Sequence, residues 1–457
     1  MGLVVLTVGL LAAASPARFV ERPCADPRLE PLVRCGVVEV PEDRAAPFGR
    51  RIGLNIMILP STSPEPDLPP LFDLEGGPGL PATKNAGFYL TVGAGFRARR
   101  PIVLLDQRGT GGSNPLDCAE LNAPEDAYRE MLAVEAVISC RERLAARADL
   151  KFYGTDDAAL DLDTVRTALG YDRIDLFALS YGTTVALRFM TAFPGRVRAA
   201  VLMGTAPPDL MPPRHHATAG QRALDLLFED CAADDACRSR FPVPASDLAR
   251  ALARVEQETG ISSEVFAEKI RTLLYAPAGA RQIPWLLNRA AEGDFEPFRE
   301  ATRPRDPLPY SDGMFLSVTC SEGIRLLDYE EAASDARATR FGDYRLRRQR
   351  AACEHWPSGE AAPDHLGPVA SDAAILMISG RLDPVTPPEW ADRVARALPN
   401  ARHVELRHGG HILDGLAGAD TCFDPLLMRF FETGDAAELD VGCLEDMRPP
   451  PFRTGNR

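Results

Sequence analysis

Between Ile174 and Met203 the chain passes through two short apolar runs, Ile174 to Leu179 and Val197 to Met203, separated by a segment of helical texture from Tyr181 to Phe193. Neither run alternates apolar with polar residues as a strand with one wet face would, so both read as strands covered on both sides. A buried strand, a helix and a second buried strand in succession require a crossover, which makes the two strands parallel. This unit restricts the chain to an α/β architecture with helices packed over a mostly parallel sheet.

Further strands are expected at Val37 to Val40, Leu54 to Leu59, Leu71 to Leu74 and Ile102 to Leu105, each a β-branched or apolar run bounded by turn residues. Ala159, Leu162, Val165 and Leu169 step by three and four and predict an amphipathic helix from Asp156 to Leu169, stopped by Gly170. After Pro207-Pro208 the texture becomes charged and Ala/Arg/Glu-rich, with no strand-like run until residues 373–378. The α/β pattern then resumes: a strand to Ile378, a turn at Gly380 to Pro388, a helix from Glu389 to Leu398 and a strand at His403 to Leu406. The expected organisation is a leader at 1–17, a first core segment at 18–208, an all-helical cap inserted at 209–368, and the end of the core at 369–447. No internal repeat is visible, and the loop Pro60 to Pro70 and the tail after Arg448 are the loosest segments.

The chain has 457 residues, 51 Lys plus Arg against 65 Asp plus Glu, and a formal charge of −14, a sign that repels nucleic acid and anionic lipid. With 45% hydrophobic and 25% charged residues it is neither disordered nor a multi-span membrane protein. Its ten cysteines contain no CxxC and no Cys/His grouping at metal-ligand spacing, so no metal is expected. They fall in locally spaced couples, which suits a disulfide framework paired in sequence order, with buried free thiols as the alternative. Leu3 to Ala14 is an apolar run ending at Ser15-Pro16-Ala17, which reads as a signal peptide and implies secretion or a periplasmic location. No Lys or Arg precedes that run, so an uncleaved N-terminal anchor is the other reading, and no further membrane association is expected.

Ala178-Leu179-Ser180-Tyr181-Gly182 sets a serine between a buried strand and a helix, the setting of a nucleophile elbow, with helix capping as the competing role. Glu75-Gly76-Gly77-Pro78-Gly79 follows another strand, where glycines let backbone N–H groups face a developing oxyanion. A base and its orienting acid should follow in the order acid, then His. Asp383, just past one strand, and His411, just past the next, fill those places, with His408 as the rival base. His215, His216 and His355 read as solvated or packed. Gly109 to Asn114 lacks the last glycine of a dinucleotide fingerprint and opens no helix, so no nucleotide cofactor is expected.

With these motifs in order, together with Asp106 to Ser113 and Arg381 to Pro387, the sequence resembles the proline iminopeptidase and tripeptidyl aminopeptidase family of α/β-hydrolases from about Cys35 to Cys443. The resemblance implies Ser180 as nucleophile, Asp383 as acid, His411 as base, and Gly77 with Tyr181 as the oxyanion hole. It also implies secretion and hydrolysis of short peptides from a free N-terminus. Two positions depart from the family pattern: Glu75 stands where His is common, and Ala178 where Gly is common. Thr319-Cys320-Ser321-Glu322 resembles a family segment bearing an acid, which makes Glu322, with Glu75, a candidate for the substrate's ammonium. The resulting expectation is a secreted, monomeric serine aminopeptidase needing no cofactor. The alternatives are an esterase or lipase-like hydrolase on the same machinery and a non-catalytic binding protein of the same fold.

Overall fold

A computed structural model describes residues 17–121, 127–303 and 309–455. The leader at 1–17 therefore falls almost wholly outside the described residues. Nine strands form one sheet: β1 (Phe19–Glu21), β2 (Arg34–Pro41), β3 (Arg51–Leu59), β4 (Leu71–Leu74), β5 (Ile102–Leu105), β6 (Ile174–Leu179), β7 (Val197–Met203), β8 (Ala374–Gly380) and β9 (Ala401–Leu406). Their spatial order is β1-β2-β3-β5-β4-β6-β7-β8-β9. The first three strands and β5 pair antiparallel, and every pair from β5 through β4 to β9 is parallel.

Alternation along β7 shows why the sheet must be covered twice. Ala200 and Leu202 join one apolar cluster with Leu162, Val165, Val185 and Phe189 of the helices Thr155–Ala168 and Tyr181–Ala192. Ala199, Val201 and Met203 point the other way, against Leu426, Leu427 and Phe430 of the helix Asp424–Thr433. Successive residues of a strand face opposite sides, so a strand apolar at both parities needs a helical layer on each face.

The segment between β7 and β8 holds no strand among the described residues, and its helices pack into more than one apolar cluster. Helices His216–Ala233, Pro244–Thr259, Ser263–Leu273 and Ile283–Ala291 close over a core of their own, built on Leu224, Leu227, Phe266, Trp285 and Phe298. Met314, Leu316 and Val318, with Ala352 and Trp356, instead join the cluster beneath the sheet. The helical part ends at Cys353, ahead of the boundary at 368 read from the sequence; residues 354–373 form an irregular return to β8. All five disulfides close in sequence order: Cys24–Cys35, Cys118–Cys140, Cys231–Cys237, Cys320–Cys353 and Cys422–Cys443. Elements not read from the sequence include the edge strand β1 and the helices Val134–Ala145 and Asp424–Thr433.

Candidate active site

Parallel strands gather their C-terminal loops at one edge of a sheet, where open α/β proteins bind ligands. β6 ends at Leu179, and Ser180 follows at φ 55° and ψ −123°, a backbone region costly for any residue but Gly. The turn is tight because the helix beginning at Tyr181 passes directly over β4: a Cβ on Gly182 would stand inside the Leu74 carbonyl. The Tyr181 N–H occupies the first helical position, where no intrahelical acceptor exists. Ala178, at the departure from the family pattern, is buried in register with Leu74 and fits the crowded strand.

Asp383 and His411 hang from the ends of β8 and β9. The His411 Nδ1 lies 2.8 Å from Asp383 Oδ2. The Thr386 hydroxyl donates to the same carboxylate oxygen at 2.8 Å, and the N–H groups of Val385 and Thr386 donate to the other, each at 2.8 Å. Burial pushes the Asp383 carboxyl up, yet the imidazole and these donors outweigh it and hold the group below the ordinary aspartate range. Sequence reasoning missed Thr386. An aspartate followed two and three residues on by the N–H groups it accepts from is the signature of an Asx turn, and that pattern in Asp383-Pro384-Val385-Thr386 could have found it.

Backbone bonds tie the strand ends together. The Ser180 N–H donates to Met203 at 2.9 Å, and the Gly204 N–H to Ile378 at 2.8 Å. A Cβ on Gly204 would lie 2.9 Å from the Thr386 hydroxyl and 3.2 Å from the His411 ring, so β7 brings bare backbone against the Asp–His pair. No hydrogen bond joins Ser180 to His411, a contact often long until substrate binds. From the inserted helices, Tyr275 stacks edge-on against His411 with centroids 5.2 Å apart, and its carbonyl accepts from Ile412 N–H at 2.9 Å. His408 is turned away: burial, then Arg281, hold its imidazole below the ordinary value, and it makes no contact with Asp383.

Ser180, Gly77, Tyr181 and Thr386 open into one pocket. Its far wall is apolar, made of Ala206, Pro207, Pro208, Leu210, Phe315 and Val318. Glu322 is the carboxylate that lines it. The chain at Thr319–Ile324 is a π-helical turn, an irregularity that carries Glu322 inward. Its Oε1 accepts from Thr155 N–H at 2.6 Å and its Oε2 from the Thr155 hydroxyl, whose oxygen is also 3.1 Å from the Tyr181 hydroxyl. Burial raises the Glu322 carboxyl above the ordinary glutamate value, and His365 and the Thr155 donors offset this only in part. His216, read from the sequence as packed or solvated, also lines the pocket. Burial, then Arg345 and Arg271, hold it well below the ordinary histidine value, so it is neutral there.

Glu75 does not reach the pocket. Its carboxylate takes Asn85 at 2.7 Å, Lys84 at 3.4 Å and the Gly76 N–H at 3.2 Å. Its backbone carbonyl accepts from Gln107 at 2.9 Å. Asp73 shares Asn85 with it, and burial followed by the Glu75 charge pushes Asp73 up to about 7. Glu75 thus braces the glycine loop. The segment Asp106 to Ser113 is a brace as well: Asp106 accepts from Asn55, Thr83 and Gly112, and Arg108 makes two bonds of 2.7 Å to Asp161. Among the described residues the one grouping with metal-ligand spacing, Cys118, Glu120 and Cys140, contains a disulfide and so offers no thiolate.

Residues 337–443, which carry β8, β9, Asp383 and His411, match the family described as TAP-like protein. The chain is 23% identical to Tripeptidyl aminopeptidase of Streptomyces coelicolor over 96% of its own length and 89% of that protein's. It is 29% identical to Serine protease Hip1 of Mycobacterium tuberculosis over 44% of its length and 42% of that protein's. Identity to Carboxylesterase B of the same species is 25%, over 90% and 86%. Similarity along nearly the whole chain to Tripeptidyl aminopeptidase, on a mostly parallel sheet with a strained serine turn, makes this protein a serine hydrolase of the α/β-hydrolase fold that is similar to TAP-like proteins.

Proposed function

We propose that this protein is a secreted aminopeptidase that removes short N-terminal pieces from peptides through an acyl-enzyme on Ser180. The family supports a serine peptidase; the residue roles and the free-amine preference are our reading. In it, Ser180 Oγ attacks the scissile carbonyl while His411 takes its proton. Asp383 holds the His411 Nδ1 proton and stabilises the imidazolium, and Thr386 fixes the carboxylate. The N–H groups of Gly77 and Tyr181 receive the oxyanion. His411 then protonates the leaving amine, and a water activated by the same base hydrolyses the ester. Five disulfides support an oxidising compartment.

The observation that carries the free-amine preference is Glu322, a buried carboxylate in the same apolar pocket as Ser180. A carboxylate accepts about four hydrogen bonds, and Thr155 uses two, leaving capacity for an ammonium. A capped peptide cannot use that capacity and leaves the charge unpaired.

The test compares wild type with Ser180→Ala on free-amino p-nitroanilides of one, two and three residues, their N-acetylated forms, and a short-chain p-nitrophenyl ester. Wild type should cleave free-amino amides roughly 100-fold better than acetylated ones. Ser180→Ala should lose at least about 10⁴-fold on every substrate. Turnover of the ester alone would instead support an esterase, a reading favoured by the similarity to Carboxylesterase B.

A further inference from the structure

Beside Glu322 lies a buried histidine that the proposed mechanism does not use. His365 is 2% exposed and belongs to the irregular return segment before β8. Its Nδ1 is 3.3 Å from Asp156 Oδ2, on the helix Thr155–Ala168. Its Nε2 makes no hydrogen bond and lies 3.7 Å from Glu322 Oε2, at ion-pair distance. The ring is therefore held between two carboxylates. Which nitrogens carry protons follows from the acceptors around them. A neutral imidazole has one N–H and one lone pair, and between two carboxylates that lone pair must face a negative oxygen in a dry site. Only the imidazolium offers a donor to each side.

The surrounding charges agree. Asp156 also accepts from Ala362 N–H at 3.0 Å and pairs with Arg188 of the helix Tyr181–Ala192 at 2.7 Å. Arg188 reaches Asp364, next to His365, at 3.2 Å. Arg325 and Glu360 line the same outer cleft as His365 and pair with each other at 3.8 Å. Closest to the ring are thus two carboxylates, with Arg188 engaged by Asp156 and Asp364. Burial opposes the charged ring, yet Asp156 and Glu322 outweigh it and raise His365 above the ordinary histidine value.

We infer that His365 is a positioning residue that acts as a buried imidazolium, keeping Glu322 ionised and aimed into the pocket so that it can receive a substrate ammonium at neutral pH. This rests on the reading of Glu322 as the amine ligand. Without the His365 charge, burial acts on Glu322 with less opposition, and its carboxyl protonates at a higher pH. The loss then falls on binding of free-amino substrates and is reversed by raising the pH, a behaviour that a packing role does not produce.

The experiment measures kcat/KM from pH 5.5 to 8.5 on a free-amino p-nitroanilide and on a p-nitrophenyl ester, and follows their ratio in wild type, His365→Gln, His365→Lys and Glu322→Gln. In His365→Gln the ratio should fall about tenfold at pH 6.5 through KM and recover by pH 8.5, since one unit of pKa is tenfold in ionised fraction. His365→Lys, which restores a cation, should recover the low-pH ratio. Histidine NMR of wild type, assigned by the signal missing in His365→Gln, should show His365 charged at a pH where free imidazole is mostly neutral. A wild-type pH profile in His365→Gln, a pH-independent loss, or a His365 signal titrating at or below the ordinary value would each overturn the inference. Glu322→Gln reads the underlying assignment separately. If it leaves the ratio at the wild-type value, Glu322 is not the amine ligand and both readings fall; if it abolishes the ratio while His365→Gln stays like wild type, only the inference on His365 falls.

Discussion

The two ends of the Ser180 pocket are built in different ways. At one end Ser180, Asp383 and His411 stand on loops leaving the parallel strands β6, β8 and β9, held by backbone bonds across β6, β7 and β8. At the other, Glu322 sits on a π-helical turn of the inserted segment and is fixed by Thr155 and His365, from two elements distant in sequence. The sheet end is rigid and locally specified; the inserted end is assembled only by tertiary packing. Our reading gives chemistry to the first and choice of substrate to the second, so substitutions at the two ends should fail in different ways.

The largest expected effect is at the sheet end. Asp383→Asn preserves the shape but replaces an acceptor-only carboxylate with an amide that can present N–H to His411 Nδ1, favouring the wrong tautomer. A fall in kcat of about 10⁴-fold is expected, equal on free-amino amide and ester, with little change in KM. Stopped-flow and steady-state kinetics on both substrates check it. An effect confined to the amide would mean that the Asp383–His411 pair does not serve the common chemical step.

The same division explains what could be read from the chain alone. β4, β5, β6 and β7 match their expected bounds residue for residue, since each is a short apolar run closed by turn residues. Ser180, Asp383 and His411 were legible because each follows such a run, and strand order then carries them to one edge. Disulfide pairing was legible because close couples close the shortest loops. Thr386 was readable in principle from its Asx turn. His365 was not: a lone histidine in a loop rich in Pro, Ala and Asp carries no periodicity, and its partners Asp156 and Glu322 are brought to it only by packing. Glu75 misled for the opposite reason, since a carboxylate beside the glycine loop is near the site in sequence while Lys84 and Asn85 turn it away in space.

A smaller and selective effect is expected at the inserted end. Glu322→Gln should lower kcat/KM on free-amino amides about 100-fold, mainly through KM, while kcat on the ester changes by less than about threefold. The pH sign follows from burial, which raises the Glu322 carboxyl. As the pH falls, this carboxyl protonates earlier than an ordinary glutamate, so the ratio of free-amino amide to ester activity should drop on the acid side, and it should level off above that transition until the substrate's own α-amino group loses its proton near about pH 8. Loss of ester turnover in Glu322→Gln equal to that on the amide would erase the distinction between the two ends.

The smallest effect sharpens the comparison by leaving both sets of reacting groups intact. Cys320–Cys353 closes a span of 33 residues and anchors the turn that carries Glu322, whereas Cys24–Cys35 closes 11 residues at the outer edge of the sheet, among β1 and β2. Removing either pair by double Cys→Ala substitution loosens the unfolded chain, and loop closure predicts losses of about 4 and about 3 kcal/mol respectively. Thermal and denaturant unfolding should therefore rank the two variants closely. Selectivity should not. Freed of Cys320–Cys353, the π-helical turn holds Glu322 less firmly, and KM for free-amino amides should rise roughly threefold to tenfold with the ester unchanged. The Cys24–Cys35 variant, equally weakened but far from the pocket, should keep the wild-type ratio. If both variants lose selectivity in proportion to their stability, the placement of Glu322 depends on global stability and not on its local anchor.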